Sequence, residues 1–392
     1  MKKILLIAVL LTKFCAFSQI IPNNGAIEST PAYFALKNAR IVVSPSETIE
    51  NATLLIKDSK IISVGKLTRI PKDAVIIDCK GKTILPAFIE LNSDIGLPKI
   101  KRGEYTGRQQ YESNKKGAYH WNESIHPEIN ANAIYSGDAK SNKELVEKGF
   151  GFALTHQKNG ISRGQGAFVS LTDGKESLLT IEDLNSFYSF QKGASRQSYP
   201  SSQMGAIALL RQSFYDADWY KANSENKNVS FDNLLQQLNG NKFFETSDKF
   251  EIIRANKIAE EFNLKFTYFG SGNEYEILDQ ISSVNSTIIL PINFPKPYDV
   301  ENPYISRQIP LSDLKHWEMA PMNPMLLKHK GVNICITSTD HKTSEDFWSH
   351  LRAAIKHGLT ESEALEALTT MPAITIGAEE IVGTLEAGKL AS

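Results

Sequence analysis

Between residues 34 and 85 the apolar positions fall in short runs, "FALKNARIVV", "ATLLIKDSKIISVG", "AVIIDC" and "KTILP", broken by the turn formers Pro45, Asp58-Ser59, Pro71 and Gly81. Runs of that length and spacing predict a small antiparallel sheet unit over residues 33–85. From Pro86 the texture changes, and strand-like runs alternate with helical patterns. Strands are predicted at 88–92, 151–156, 167–171, 242–245, 265–270, 287–293 and 332–338. Helix starts are marked by Ser141 and Glu144 as a capping box before "ELVEKG", by Thr360 and Glu363 before "EALEALTT", and by Asn323-Pro324 as N-cap and first-turn proline. The stretch "MGAIALLRQSFYDADWY" sets Ile207, Leu210, Phe214 and Tyr215 on one helical stripe.

This alternation predicts an α/β protein, with a (β/α)8 TIM-like barrel over residues 86–378. A doubly wound sheet is disfavoured because no glycine-rich nucleotide loop follows the first strand. The polar stretch 97–140 follows the first barrel strand, where barrels carry functional loops, and it reads equally as a surface insertion. The segment "NGISRGQGAF" lacks the Gly-Lys-Ser/Thr of a phosphate loop, so its glycines predict tight turns.

At the N-terminus, Lys2 and Lys3 precede an apolar run and the small-x-small pattern Ala16-Phe17-Ser18, which predicts a signal peptide over residues 1–18 and export to the periplasm or medium. Residues 19–32 read as a polar leader. No later run reaches the roughly 18 apolar residues of a membrane span. Loss of Lys2, Lys3 and Lys13 with the signal takes the formal charge from −1 to −4, and nothing basic is clustered, which argues against a nucleic-acid partner. Of the 3 cysteines, Cys15 leaves with the signal, while Cys79 and Cys335 lie in apolar strand-like runs and are expected as buried thiols, with a single bond between them the alternative that export allows.

A β-rich unit followed by "GKTILPAFIELNSD" at 81–94 and a barrel pattern resembles the amidohydrolase superfamily, in particular its imidazolonepropionase-like members. Further matching stretches, in order, are "GVNICITSTD" (331–340), "HGLTESEALEALTTMPAITIG" (357–377) and "GTLEAGKLAS" (383–392). The resemblance implies a β-sandwich unit built from the N-terminal strands and the returning C-terminal residues 379–392. That return looks cut short at Ser392. It also implies hydrolysis of non-peptide carbon–nitrogen bonds at a site where a His-x-His pair and later strand-end histidines hold zinc or another divalent metal.

In this chain Asn92 and Asp94 occupy the His-x-His positions, and neither "KFTYFGSGNEYEI" nor "TIILPINFPKPYD" carries a histidine. Asp340 matches the aspartate ending the family's last barrel strand and is the one catalytic candidate; with no metal-bound water to serve, it reads also as a loop or cap residue. His156, after the strand at 151–156, reads as structural before it reads as a ligand. The leading expectation is a ligand-poor barrel without a metal cofactor of its own, scaffolding or shaping a small-molecule substrate for a second, histidine-bearing amidohydrolase domain in a longer chain. A rival reading keeps an active hydrolase with a metal on the oxygen ligands Asp94, Glu245 and Asp340, which favours Mn or Mg over zinc. A third is a barrel that binds a small ligand without turning it over.

Overall fold

The structure, a computed structural model, describes residues 33–102, 107–137, 139–171, 178–179, 181, 184–223, 225 and 227–392. The signal-peptide and leader expectations for residues 1–32 lie outside the described residues.

The N-terminal strands are β1 (Phe34–Ser44), β2 (Glu47–Lys57), β3 (Lys60–Gly65), β4 (Val75–Asp78) and β5 (Thr83–Ile84). They form one sheet in the order β3-β2-β1-β4, with β5 also paired to β1. It is mixed where the pattern predicted antiparallel, because β4 and β5 run parallel to β1 at successive registers. One face buries Ala39, Ile41, Val43, Leu54 and Ile61 together with Leu385. The chain end reaches this sheet: Leu385 N–H donates to Val43 O, Ile61 N–H to Lys389 O and Ala391 N–H to Ser59 O. At the opposite edge β4 leaves Val75, Ile76 and Ile77 exposed.

The remaining strands are β6 (Phe88–Ser93), β7 (Phe150–Thr155), β8 (Ser162–Gln165), β9 (Ala167–Ser170), β10 (Leu178–Leu179), β11 (Asn185–Ser189), β12 (Asn241–Glu245), β13 (Phe266–Phe269), β14 (Ile288–Pro291) and β15 (Ile334–Thr337). They make two sheets, β10-β9-β7-β6 and β15-β14-β13-β12-β11-β8. The consecutive strands β8 and β9 link them, β9 antiparallel to β7 and β8 antiparallel to β11. The ladders from β11 to β15 and between β6 and β7 are parallel. β6 and β15 lie side by side, and no ladder joins them among the described residues.

Alternation along these strands feeds two cores, as expected of a sheet buried on both faces. Ile89, Leu91, Phe152, Leu154, Phe187, Phe243, Phe269, Ile289 and Cys335 pack together on the inner side. Phe88, Phe150, Tyr188, Phe244, Phe266, Ile288 and Ile334 pack against helices on the outer side. The helices of seven or more residues are α1 (Ala139–Val146), α2 (Gln203–Ala222), α3 (Val229–Gln237), α4 (Lys249–Glu261), α5 (Leu311–Met319), α6 (Asn323–His329), α7 (Ser344–Lys356), α8 (Glu361–Leu368) and α9 (Thr370–Ile376). Ala373 and Ile376 of α9 enter the inner core. Cys79 and Cys335 are buried and unpaired.

Three local expectations change. α1 starts at Ala139, so Ser141 lies within its first turn, where a helical backbone cannot act as an N-cap. Asn323 does not cap α6, because a 3-10 turn at Ala320–Met322 delivers the chain already helical; its side chain instead donates to Glu274 Oε2 (2.7 Å) and accepts from Tyr275 N–H (2.8 Å). On α2 the buried residues are Ala206, Leu209, Leu210, Ser213, Phe214, Ala217 and Tyr220, while Tyr215 faces out and donates to Glu261. The Thr360–Glu363 capping box forms.

Candidate functional site

The site grows from the ends of the strands. In β6, Glu90 pairs with Ala153 and Ser93 with Thr155, so β6 spends one residue more than β7 over this step. Such a bulge turns the extra residue out of regular alternation and sets Asn92 on the inner side with Leu91. By alternation His156, Ser189, Glu245 and Thr337 occupy the last inward positions of their strands or just beyond, above the apolar column.

Glu90 holds this end together. Its carboxylate is 1% exposed and accepts from Asn92 N–H (2.9 Å), Ser338 N–H (2.7 Å), Ser338 Oγ (2.8 Å) and Thr337 Oγ1. Thr339 Oγ1 donates to Asn92 O at 3.0 Å. Side-chain bonds therefore span β6 and β15 where backbone pairing does not.

His156 is 1% exposed and lies flat on Phe187, ring centroids 3.7 Å apart and planes within 2°, with Phe269 at 5.8 Å. Neither ring nitrogen has a hydrogen-bond partner among the described residues, and the same holds for the buried Asn92 Oδ1. Burial pushes the imidazole well below its ordinary pKa, and the positive charges of Lys158 and Arg163 push it the same way. Arg163, buried on β8, donates from Nε to Gly160 O (3.0 Å) and from Nη1 to Glu245. Lys158 Nζ lies 3.4 Å from Asn92 O.

Gly164 makes this placement of β8 possible. Its φ is +80°, and a Cβ there would meet Ile129 O at 2.1 Å. The glycines of "NGISRGQGAF" thus serve a strand and a close backbone approach rather than turns alone.

The candidate metal ligands are not gathered. Asp94 lies beyond β6 and is exposed. Asp340 is exposed, with φ 69° in the left-handed region, and Thr343 rather than Asp340 caps α7. Glu245 is engaged by Arg163. Among the described residues no three His, Cys, Asp or Glu side chains are placed to share a metal ion. A family-type divalent metal does not fit this donor set, in which one carboxylate is already neutralised and two cations act on the one inward imidazole.

On the same face, a recess of about 410 Å³ lies between the segments after β11 and β12, lined in part by Lys192, Ser202, Gln203 and Glu251. A larger one, about 500 Å³, sits on the flank among Val42, Leu85, Phe88, Trp348 and Leu365. Its lining is mostly apolar, so the chemistry belongs to the strand ends. Sequence reading missed Glu90, Lys158 and Arg163. Their one signal was charge in or beside strand-forming runs, "AFIELN" and "HQKNGISRG".

An α/β fold of barrel type is also what the comparisons return. Residues 245–392 match the amidohydrolase family. An imidazolonepropionase of Christiangramia forsetii is 23% identical, covering 88% of this chain and 85% of that protein. A dihydroorotase of Caldicellulosiruptor saccharolyticus is 36% identical over 70 residues, 18% of this chain, and the chain spans only 16% of that relative's length. Among solved structures, an amidohydrolase from Thermotoga maritima superposes with TM-score 0.69 at 20% identity, covering 91% of this chain and 92% of that one. An ochratoxinase from A. niger gives a TM-score of 0.51 at 14% identity, covering 92% of this chain and 88% of that one. These likenesses show the fold, and with the family match they support the amidohydrolase superfamily.

Proposed function

We propose that the chain is an amidohydrolase-superfamily barrel whose mouth is a metal-free small-molecule site, scaffolding or shaping substrate for a second, histidine-bearing amidohydrolase domain. The family chemistry is hydrolysis of non-peptide carbon–nitrogen bonds. The observation that carries the metal-free reading is the Arg163–Glu245 ion pair at the strand ends. It engages the one inward carboxylate and, with Lys158, brings two positive charges to bear on the inward imidazole, where a divalent cation would be repelled. A zinc site also calls for three protein ligands, and residue 94, exposed beyond the end of β6, is not placed to supply one. The exposed apolar edge at β4 supports a protein partner, since unpaired edges invite strand addition.

Elemental analysis after zinc or manganese loading and dialysis tests the reading. The parent chain should retain well under one metal per chain, and the double variant Asn92→His/Asp94→His should gain no hydrolase activity. About one metal per chain, lost in Asp94→Ala or Asp340→Ala, would establish the oxygen-ligand enzyme instead. Supplying a histidine-bearing amidohydrolase barrel should protect this chain against proteolysis; no mutual protection would remove the partner.

A further inference from the structure

We propose that the outer face of α2 is a homodimer interface, lying antiparallel against the same face of a second copy of this chain. Pairing through that face does not depend on the metal-free reading above.

A surface helix normally turns a polar face to solvent, opposite the stripe it buries. α2 does not. Its inner stripe packs in the core, and on the opposite side Met204, Ala208, Arg211, Tyr215, Trp219 and Ala222 recur at helical spacing, all of them exposed. Met204 is 80% exposed, Trp219 65% and Tyr215 51%. Positions three and four apart on a helix are neighbours, so these side chains make one strip about 27 Å long. Tyr215 is fixed within it. Its hydroxyl donates to Glu261 Oε1 (2.7 Å), its ring meets Phe262 edge-on with centroids 4.7 Å apart, and Arg211 donates to the same carboxylate from Nε (2.7 Å) and Nη2 (2.6 Å). An exposed ring already held in one place loses little freedom on association, which is the property of an interface anchor. At the helix start, Tyr199 donates its hydroxyl to Gly205 O (2.9 Å), and Trp121 stacks on it at 6.1 Å, adding two more exposed rings.

Size, shape and charge select the occupant. Met204, Tyr215, Trp219, Tyr199 and Trp121 together leave on the order of 500 Å² of largely apolar surface on each copy, the size at which exposed patches mark interaction sites. Two such faces remove about 1,000 Å² from water through these groups alone, and the exposed Ala208, Arg211, Gln212 and Asp218 beside them bring the total into the roughly 1,200–2,000 Å² range of stable interfaces. A two-fold axis crossing between Arg211 and Gln212 sets Tyr215 over Ala208 of the second copy and Trp219 over its Met204. In that register each ring meets a small or a flexible side chain. It also brings Asp218 opposite Gly205, in the first turn of the second helix, where free N–H groups favour a carboxylate. Arg211 lies nearest the axis, and its ion pair with Glu261 keeps two bare guanidinium groups from meeting there. With its one cation engaged in this way, the strip lacks the free Lys and Arg that hold an amphipathic helix to a lipid surface.

Analytical ultracentrifugation of the parent chain should show a dimer with a dissociation constant of micromolar or tighter. Trp219→Glu and Ala208→Glu should each weaken it about thirtyfold or more. Both positions are exposed, so each variant, compared with the parent at a concentration where both are monomers, should keep the parent's melting temperature. Cross-linking reads the register. A chain carrying Ala208→Cys, mixed with one carrying Tyr215→Cys, should give a covalent dimer on mild oxidation, while neither alone should, because the two copies of either position sit about 10 Å apart along the helix. The native Cys79 and Cys335 are buried and stay out of this reaction. A parent that stays monomeric, a dimer equally tight in both glutamate variants, or a mixture that fails to cross-link would overturn the proposal. So would a monomer that binds a histidine-bearing amidohydrolase barrel and loses it in Trp219→Glu, which would assign the face to that partner instead. None of these outcomes alters the metal content by which the earlier reading is tested.

Discussion

Replacing Glu90 with glutamine asks whether a buried carboxylate holds β6 against β15. Glutamine has almost the same shape, and its remaining oxygen can still accept from Asn92 N–H and Thr337 Oγ1. Its amide nitrogen, however, takes the place of the oxygen that accepts from Ser338 N–H at 2.7 Å, and two donors then face one another. Ser338 Oγ can rotate to accept; the backbone N–H cannot. One buried N–H left unpaired costs about 1–3 kcal/mol, and weakening the remaining charge-assisted bonds adds on the order of 1 kcal/mol. The expected destabilisation is therefore about 2–4 kcal/mol for Glu90→Gln. Glu90→Ala leaves Asn92 N–H and the N–H and Oγ of Ser338 without their acceptor, while Thr337 Oγ1 keeps Thr339 Oγ1 at 2.8 Å, and it opens a cavity; it should cost about 3–5 kcal/mol or more. Equilibrium urea unfolding reads both, as a fall in midpoint at constant slope. A double-mutant cycle with Thr337→Val should return a coupling of about 1–2 kcal/mol. Glu90→Gln within about 0.5 kcal/mol of the parent, the range of ordinary surface changes, would refute the argument.

Two further outcomes are expected. Burial holds the His120 imidazole down at about 4, so below its unfolded value of 6.5 the unfolded chain takes up a proton that the folded chain refuses. Its stabilising contribution is full above pH 6.5 and is lost as pH falls toward 4, by about 2 kcal/mol at pH 5. His120→Asn, whose Oδ1 can take the Asn122 N–H now bonded to Nδ1, should shallow the acid limb of a stability–pH curve; an identical limb would sink the assignment. Export with cleavage after Ser18 gives a mature N-terminus at Gln19, checked by N-terminal sequencing, and a chain retaining Met1 would contradict it.

The barrel strands were legible because they are buried on both faces, and near-continuous apolar runs such as "ICIT" and "IILP" need no periodicity to be recognised. β11, "NSFYS", was missed: five residues with two serines and an asparagine, all buried, present no apolar run and no alternation that a window can catch. β8, "SRGQ", was hidden for a related reason, since its glycine serves a close backbone approach to Ile129 that only the assembled fold reveals. Capping signals divide in the same way. Thr360–Glu363 needs only its own first turn and formed, whereas Asn323 was taken over by Glu274 and Tyr275, some fifty positions earlier in sequence. The candidate site shows the limit most plainly. Asn92 and Asp94 could be read as substitutions, but Arg163's hold on Glu245 joins residues 82 apart, and nothing local announces it.

Geometry at the end of β6 also explains why sequence position alone is a poor guide to what residue 94 can do. A His-x-His pair works when alternate residues of one strand project to the same side. Here the bulge between Glu90 and Ser93 has already used the strand's last regular pairing to bring Asn92 inward, and the ladder ends at Ser93. Ser93 Oγ then accepts from Ile95 N–H at 3.2 Å, a local turn that carries Asp94 out to solvent. The same Glu90 that accepts from Asn92 N–H reaches across to Ser338, so the turn, the bulge and the β15 contact are parts of one hydrogen-bonded unit. Moving residue 94 inward would require breaking that unit. The strand end is thus organised around a buried carboxylate and its four donors, and the inward face it leaves is the one shared by Asn92 and His156.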